Sequence, residues 1–178
     1  AEVDSFEDKG VFGYTGGRNA RAYSIISDAR IAIGLDITKN HITTVAVNLN
    51  GEVMESNRIR YVFSFSDDYF KKLGSLVNEI INKICIEEEK IMGVGIALPA
   101  LITEDHKSIF YGNILEITGE TVDSFSKYIT LPCILCNDAN AAGFAEIWER
   151  KDIENAFYIS LSNNIGGSVL IGNKVYFG

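Results

Sequence analysis

Three polar segments of this chain carry residue types that could bind or activate a ligand. The first is residues 36–40, Asp-Ile-Thr-Lys-Asn, which follow an apolar run typical of a buried strand. A carboxylate at a strand end can hold a metal ion or a bridging water, and the backbone amides after it can face a phosphate group. An ordinary hairpin turn is the alternative, and it is the commoner role of Asp, Thr and Asn.

The second segment is Asn137-Asp138, at the junction of an apolar strand and a predicted helix. An aspartate at the positive end of a helix dipole stays ionised, and it can accept a proton from a bound hydroxyl group. Simple helix capping, which Asn and Asp perform in many proteins, is the alternative explanation. In isolation, capping is the commoner of the two roles.

The third segment, residues 162–168, reads Ser-Asn-Asn-Ile-Gly-Gly-Ser between two predicted strands. Glycines let a backbone approach an anion closely, and the side chains of Asn163 and Asn164 can donate hydrogen bonds to it. A flexible hairpin loop is the simpler alternative.

No metal site is predicted from the sequence. Cys133 and Cys136 have the spacing of half a zinc site, but no second pair and no nearby histidine completes it. In a strand these two side chains point to opposite faces, so we interpret both cysteines as core residues.

Apolar periodicity predicts the elements that would position the three polar segments. Three strands joined by tight turns cover residues 31–62, and Asn50-Gly51 between the second and third is a strong hairpin signal. Ser66 can cap a long helix whose apolar residues recur at intervals of three and four. The later predicted elements are a strand at 91–98, a short helix at 121–129, a strand at 133–136, a helix at 137–150 and strands at 156–161, 166–171 and 174–176. This order, βββαβα continued by a strand, a helix and further strands, predicts an α/β fold with a mixed sheet.

Residues 1–30 are polar, and Gly16-Gly17 form a turn signal with Arg18 and Arg21 close to it. Two short strands around this turn predict a hairpin, which is too small to be stable without another body to pack on. A mobile surface turn is the alternative explanation for residues 16–18.

The composition limits the class of protein. Of 178 residues, 47% are hydrophobic and 22% charged, which excludes wholesale disorder. No apolar run of about 18 residues is present, so no membrane-spanning helix and no membrane partner are expected. The N-terminus lacks the features of a secretory signal, and three cysteines are too few for a disulfide framework, so a cytoplasmic location is expected. The net charge of −8 argues against a broadly basic nucleic-acid surface.

Taken in order, the motifs resemble those of the ROK family. They are the Asp36 turn, Gly95-Ile-Ala-Leu-Pro99, Gly112-Asn113, the stretch from Asn137 to Glu146, and the segment from Ile165 to Gly178. That family groups bacterial sugar kinases with sugar-responsive transcriptional repressors on a two-lobed, actin-like (ribonuclease H-like) ATPase fold. The resemblance covers residues 31–178, and it is strongest to repressors of the xylose-repressor type. It implies a first lobe at 31–136 and the start of an incomplete second lobe at 137–178, so we expect a piece of a longer protein.

The resemblance also implies roles for individual residues. Asp138 matches the residue that takes the proton from the attacking sugar hydroxyl in the kinases. The positions that match sugar-binding residues are Asn113, Asn137 and Asp138. The positions that match the two phosphate-binding loops are Asp36, Thr38, Lys39, Asn40, Asn163, Asn164, Gly166 and Gly167. Residues 1–30 resemble the wing of a winged helix-turn-helix and its linker, with a DNA-contacting tip formed by Gly16, Gly17, Arg18 and Arg21.

Both phosphate loops depart from the kinase pattern. Where the kinases have Asp-x-Gly-Gly-Thr, this chain has Thr38 and Lys39 in place of the glycines, and their side chains would occupy the space of the phosphate. Where the kinases usually have Gly-Thr-Gly-Ile-Gly-Gly, residues 162–167 lack two of the glycines. These departures favour a protein that does not use ATP, so Asp138 would be a catalytic base only if the chain were a kinase.

We therefore expect the central part of a sugar-responsive transcriptional regulator, in which sugar binding and operator binding affect each other. A sugar kinase with unusual phosphate loops is the first alternative, and a non-catalytic actin-like interaction module is the second. The expected partners are a monosaccharide or sugar derivative and, through the longer protein, operator DNA and a second copy of itself. No cofactor is expected in this chain, whereas the resemblance implies a structural zinc in the C-terminal part of the longer protein.

Overall fold

The computed structural model of the protein describes residues 6–11, 21–150, 152–161 and 165–177. Its strands are β1 (Phe6–Val11), β2 (Arg21–Ile25), β3 (Ile31–Ile37), β4 (His41–Asn48), β5 (Val53–Arg60), β6 (Ile91–Leu98), β7 (Leu101–Ile102), β8 (Ile109–Tyr111), β9 (Cys133–Asn137), β10 (Ala156–Leu161), β11 (Ile165–Ile171) and β12 (Lys174–Tyr176). Its α-helices are α1 (Asp67–Ile84), α2 (Val122–Ser126) and α3 (Asp138–Glu149). Within the described ranges, no helix is long and apolar enough to cross a membrane.

Five strands form the central sheet in the order β5-β4-β3-β6-β9. Strand β4 is antiparallel to β3 and β5, whereas β6 is parallel to β3 and β9. The prediction of an α/β fold with a mixed sheet is therefore confirmed. Because β3, β6 and β9 run in the same direction, their carboxyl ends lie at one edge of the sheet. Ligands of open α/β sheets bind at this kind of edge, and the polar segments 36–40 and 137–138 both reach it.

Helix α1 covers one face of the sheet because its apolar residues repeat with the period of a helix. Ser66 caps it as predicted, since its Oγ accepts a hydrogen bond from the backbone amide of Tyr69 at 3.3 Å. The buried residues of α1 are Tyr69, Phe70, Leu73, Gly74, Leu76, Val77 and Ile80. They share one hydrophobic core with the alternate residues of β3 that point to the same face, which are Ile31, Ile33, Leu35 and Ile37.

The segment after α2 approaches α1 closely at Gly74. A Cβ atom at Gly74 would overlap the main-chain oxygen of Tyr128, so only glycine allows this approach. Next to this contact, Asp67 accepts hydrogen bonds from Lys127 Nζ at 2.6 Å and from the Tyr128 hydroxyl at 2.8 Å. The hydrogen bonds from Lys127, Lys71 and Tyr128 hold the pKa of Asp67 well below its usual range.

Helix α3 packs against a second, antiparallel sheet of order β10-β11-β12. The two elements meet at Gly143, where a Cβ atom would overlap the hydroxyl of the buried Ser168. An apolar groove of about 1190 Å³ runs between this unit and the face of the central sheet that α1 leaves uncovered, and Val45 and Phe144 line it.

Strands β7 and β8, between β6 and α2, were not predicted from the sequence. They pair with each other in antiparallel orientation and form a separate two-stranded sheet. With two and three residues, they are too short to show a periodic pattern.

Strands β1 and β2 pair in antiparallel orientation, with Phe6 opposite Ile25 and Val11 opposite Arg21. The two strands of the predicted hairpin are thus present. Gly16, Gly17 and Arg18 of its turn lie outside the described residues, as does the side chain of Arg21. The assignment of this hairpin to a winged helix is not confirmed and remains a prediction.

Candidate functional site

A cleft of about 560 Å³ opens at the carboxyl edge of β3, β6 and β9. Its walls come from the turn between β3 and β4, from the segments after β6 and β8, and from the starts of α3 and β11. Seven of the predicted site residues line it, namely Thr38, Lys39, Asn40, Asn113, Asn137, Asp138 and Gly166. The fold therefore brings together residues that lie up to 128 positions apart, from Thr38 to Gly166.

The remaining predicted residues lie elsewhere. Asp36 and Gly167 line the adjacent apolar groove, which Asp138 also borders. Asn163 and Asn164 lie outside the described residues. Of the two phosphate-loop segments, the cleft thus receives the turn after β3 and, from the described residues of the second loop, Ile165 and Gly166.

Asp138 begins α3 directly after β9 and is half-buried in the wall of the cleft. Its Oδ1 accepts a hydrogen bond from the backbone amide of Ala139 at 2.8 Å. Burial raises the pKa of Asp138, and hydrogen bonds from the backbone amides of Ala139 and of Asp138 itself oppose this effect only in part. A carboxylate can accept about four hydrogen bonds, so this partly desolvated group retains capacity for a ligand hydroxyl.

Asn137 and Asn113 differ in whether their side chains make hydrogen bonds within the described part of the fold. The Oδ1 of Asn137 accepts a hydrogen bond from the backbone amide of Asn140, and its Nδ2 donates to the carbonyl of Ala100, both at 3.0 Å. These bonds confirm the capping role, and they also tie α3 to the end of β6. Asn113 is exposed, and its side-chain amide has no hydrogen bond to any other described residue, so it is free to bind a ligand.

The turn between β3 and β4 is closed by its own residues. The Oγ1 of Thr38 accepts a hydrogen bond from the backbone amide of His41, and the amide of Thr38 donates to the carbonyl of His41, both at 3.0 Å. The carbonyl groups of Lys39 and Asn40 each accept a hydrogen bond at 2.9 Å from the backbone just after β5. The hydrogen bonds of Thr38 therefore stabilise the turn, whereas the exposed side chains of Lys39 and Asn40 line the cleft.

Asp36 lies close enough to Asp138 for their charges to interact. Burial is the main cause that raises the pKa of Asp36, the charge of Asp138 raises it further, and the charge of Arg58 lowers it. Sequence reasoning did not identify Arg58. It lies opposite Thr43 of β4, which in turn lies opposite Asp36 of β3, so the three residues form a row across one face of the sheet.

Metal-binding groups do not converge in the described part of the chain, where no three His, Cys, Asp or Glu side chains come together. Cys133 and Cys136 are both partly buried, and burial raises the pKa of each thiol to about 11. Thiols with such high pKa values are poor nucleophiles and poor metal ligands at neutral pH.

A model of the ROK family matches residues 32–178. The chain belongs to the ROK family. Among curated ROK relatives, the chain is 26% identical over 167 residues to the xylose repressor of Bacillus subtilis (strain 168), a match that covers 92% of this chain and 43% of that protein. The chain thus spans less than half the length of the curated relatives it matches.

Solved ROK structures share this fold. A ROK family transcriptional regulator, a homolog of the E. coli MLC protein, matches with a TM-score of 0.76 at 18% identity, over 97% of this chain and 45% of that chain. A ROK glucokinase from Streptomyces griseus, in complex with glucose and AMPPNP, matches with a TM-score of 0.67 at 20% identity, over 83% of this chain and 46% of that chain. These similarities confirm the expected ROK fold with its mixed sheet.

Proposed function

We propose that this chain is the ligand-binding part of a sugar-responsive transcriptional repressor. The observation that supports this most is the extent of the matches. The ROK regulator covers 97% of the chain, whereas the ROK glucokinase covers 83%. The regulator match leaves only about 3% of the chain uncovered, so it must include most of residues 1–31, which precede the ROK model and contain β1 and β2. A match to a regulator that extends over this N-terminal segment supports regulation rather than catalysis.

In this proposal the cleft binds a sugar and the hairpin of β1 and β2 contacts operator DNA as the wing of a winged helix-turn-helix. Asp138 and Asn113 would accept and donate hydrogen bonds to sugar hydroxyls, and Arg18 and Arg21 would contact the DNA backbone. Xylose is the first sugar to test because the similar curated proteins include xylose repressors.

A sugar kinase is the second candidate, because Asp138 lines the cleft as a catalytic base would. The turn between β3 and β4 argues against this function. Thr38 and Lys39 replace the glycines that would admit a phosphate, and Thr38 already makes hydrogen bonds within the turn. Phosphoryl transfer depends mostly on how the phosphate is positioned, so a base without this loop would be ineffective.

The test is a mobility-shift titration of the full-length protein on the DNA upstream of its own gene, with and without a panel of sugars and sugar phosphates. We expect binding that one member of the panel changes by at least about tenfold, a coupling of about 1.4 kcal/mol. No DNA binding at moderate salt, together with sugar-dependent ADP release from ATP, would contradict the proposal and support the kinase.

Sugar binding is also expected to depend on pH through Asp138. The ionised carboxylate is the stronger hydrogen-bond acceptor, and burial raises its pKa above the ordinary value of an aspartate. Affinity should therefore weaken on acidification, beginning at a higher pH than an exposed aspartate would cause. Calorimetric titration with the active sugar across a pH series measures this effect. An Asp138→Asn variant should show no such dependence, and a pH-independent affinity of the unmodified protein would contradict this role.

A further inference from the structure

One wall of the cleft is apolar and carries an exposed aromatic ring. Leu101 of β7 and Tyr111 of β8 both line the cleft, and they are 56% and 51% exposed. The two residues lie opposite each other in the antiparallel pair of β7 and β8, so their side chains are neighbours. Large apolar side chains that stay exposed within a cleft mark a surface on which a ligand can pack.

Gly112 holds the segment that contains Tyr111 against the turn that precedes β7. A Cβ atom at Gly112 would lie 3.0 Å from the Cβ of Ala100 and 3.0 Å from the side chain of Ile117, so glycine allows a close approach here. Gly112 and Ile117 also exchange two backbone hydrogen bonds, at 2.9 and 3.1 Å. Tyr111 and Asn113, on either side of this glycine, are therefore held at one corner of the cleft.

A hydrogen bond places the same apolar wall beside Asp138. The Nδ2 of Asn137 donates to the carbonyl of Ala100 at 3.0 Å. Asp138 and Leu101 are the residues that follow these two partners, and both line the cleft. The apolar wall thus begins next to the carboxylate, and a ligand bound by Asp138 would lie within reach of the wall.

This combination matches the two kinds of surface on a sugar ring. Hydroxyl groups project from the edge of a pyranose ring and form hydrogen bonds, whereas the C–H groups on its faces are apolar. An aromatic side chain offers a flat apolar surface whose face carries partial negative charge, which favours contact with the weakly positive C–H groups. Binding sites for small molecules commonly combine such apolar lining with a few polar groups that fix the orientation of the ligand.

We propose that Tyr111, with Leu101 beside it, stacks on the face of a sugar ring, so that the cleft selects the closed pyranose form over an open-chain polyol. This inference rests on the proposed sugar-binding function and adds a specificity-determining residue to it. Asp138 and Asn113 bind hydroxyl groups at the edge of the same ring. A polyol carries similar hydroxyl groups but has no fixed apolar face, so it gains little from the aromatic wall and loses more conformational freedom on binding.

The test is calorimetric binding of four pyranoses to the full-length protein, each compared with the polyol that its reduction gives. The pairs are xylose and xylitol, glucose and sorbitol, mannose and mannitol, and galactose and galactitol. At least one pyranose should bind at least about tenfold more tightly than its polyol. In the Tyr111→Ala variant, binding of that pyranose should weaken about tenfold and binding of its polyol by less than about twofold. Tyr111→Phe keeps the aromatic ring and should retain most of the preference.

Phe110→Ala is the matched control. Phe110 is the neighbouring aromatic residue of the same strand and is 69% exposed, but it does not line the cleft. Because both rings are more than half exposed, neither truncation should unfold the protein, and thermal unfolding of the same samples checks this. Phe110→Ala should leave the affinity for the pyranose unchanged.

Three outcomes would overturn the stacking role of Tyr111: an unchanged affinity of Tyr111→Ala for the pyranose, an equal loss for the pyranose and its polyol, or an equal loss in Phe110→Ala. A lower thermal midpoint of Tyr111→Ala with unchanged affinity would overturn it too, because another part of the longer protein would then cover the ring. Failure of every sugar to bind, with DNA binding unaffected by the panel, would instead contradict the proposed function and this inference with it. The two failures are thus distinguishable.

Discussion

The Asp138→Asn variant is expected to bind its sugar about 10- to 100-fold more weakly than the unmodified protein. A hydrogen bond to a charged group contributes about 1.5–3 kcal/mol, and the amide of asparagine is a weaker acceptor than a carboxylate. The fold should not suffer, because burial disfavours the charged form of Asp138, and a neutral side chain of the same shape removes that unfavourable charge. Calorimetry and thermal unfolding of the same samples separate the two effects.

The matched control is Glu146→Gln, the same chemical change at an exposed position of the same helix. Glu146 pairs with Arg150 at 3.5 Å on the surface, has no other ion pair among the described residues, and does not line the cleft. The Glu146→Gln variant should leave both the affinity for sugar and the stability of the fold unchanged, because exposed ion pairs contribute little. An unchanged affinity of the Asp138→Asn variant for sugar would show that this residue does not contribute to sugar binding. A large loss of stability would show that its role is structural.

The Gly74→Ala variant is expected to lose about 2 kcal/mol of unfolding free energy. Its added methyl group would overlap the main-chain oxygen of Tyr128, which cannot rotate away as a side chain would. Overpacking in a well-packed interior costs about 1–3 kcal/mol and occasionally more, and an overlap with fixed main-chain atoms belongs at the upper end of that range. The better helix propensity of alanine offsets only about 1 kcal/mol of this cost. For a chain of this length, a net loss of this size lowers the thermal midpoint by roughly 4–8 °C.

Gly95→Ala provides the control for this prediction. Gly95 lies in β6, and a Cβ atom at that position would have nothing within 4 Å. The same substitution should therefore change stability by less than about 1 kcal/mol. If Gly74→Ala were as stable as Gly95→Ala, the segment after α2 would have to be able to move away from α1.

Most elements of the central sheet could be predicted because their patterns are local. The meander of β3, β4 and β5 follows from alternating residues and the Asn50-Gly51 turn, and α1 follows from its cap at Ser66 and its apolar period. Strands β7 and β8 could not be predicted, because two or three residues carry no period.

The site could be predicted only in part, for a similar reason. Motif order identified the segments around Lys39 and Asp138, and the parallel strands bring both to one cleft. The capping bonds of Asn137 depend on the position of Ala100, and the role of Arg58 depends on strand register. Neither can be obtained from a single sequence, because register is a relation between distant segments.

Strand β3 pairs with β4, which is close to it in the chain, and with β6, which is distant. This difference sets the order in which the strands of the central sheet can pair. Strand β4 is the immediate neighbour of β3 in the chain, whereas β6 joins β3 only after a long loop has closed, and β9 must then add to β6. Closing longer loops costs more conformational entropy, so local hairpins form before such non-local pairings. In a growing polypeptide, the wall of the cleft that contains Lys39 is therefore made first and the wall that contains Asp138 last. A ligand that needs both walls can stabilise the protein only after the final strand has docked.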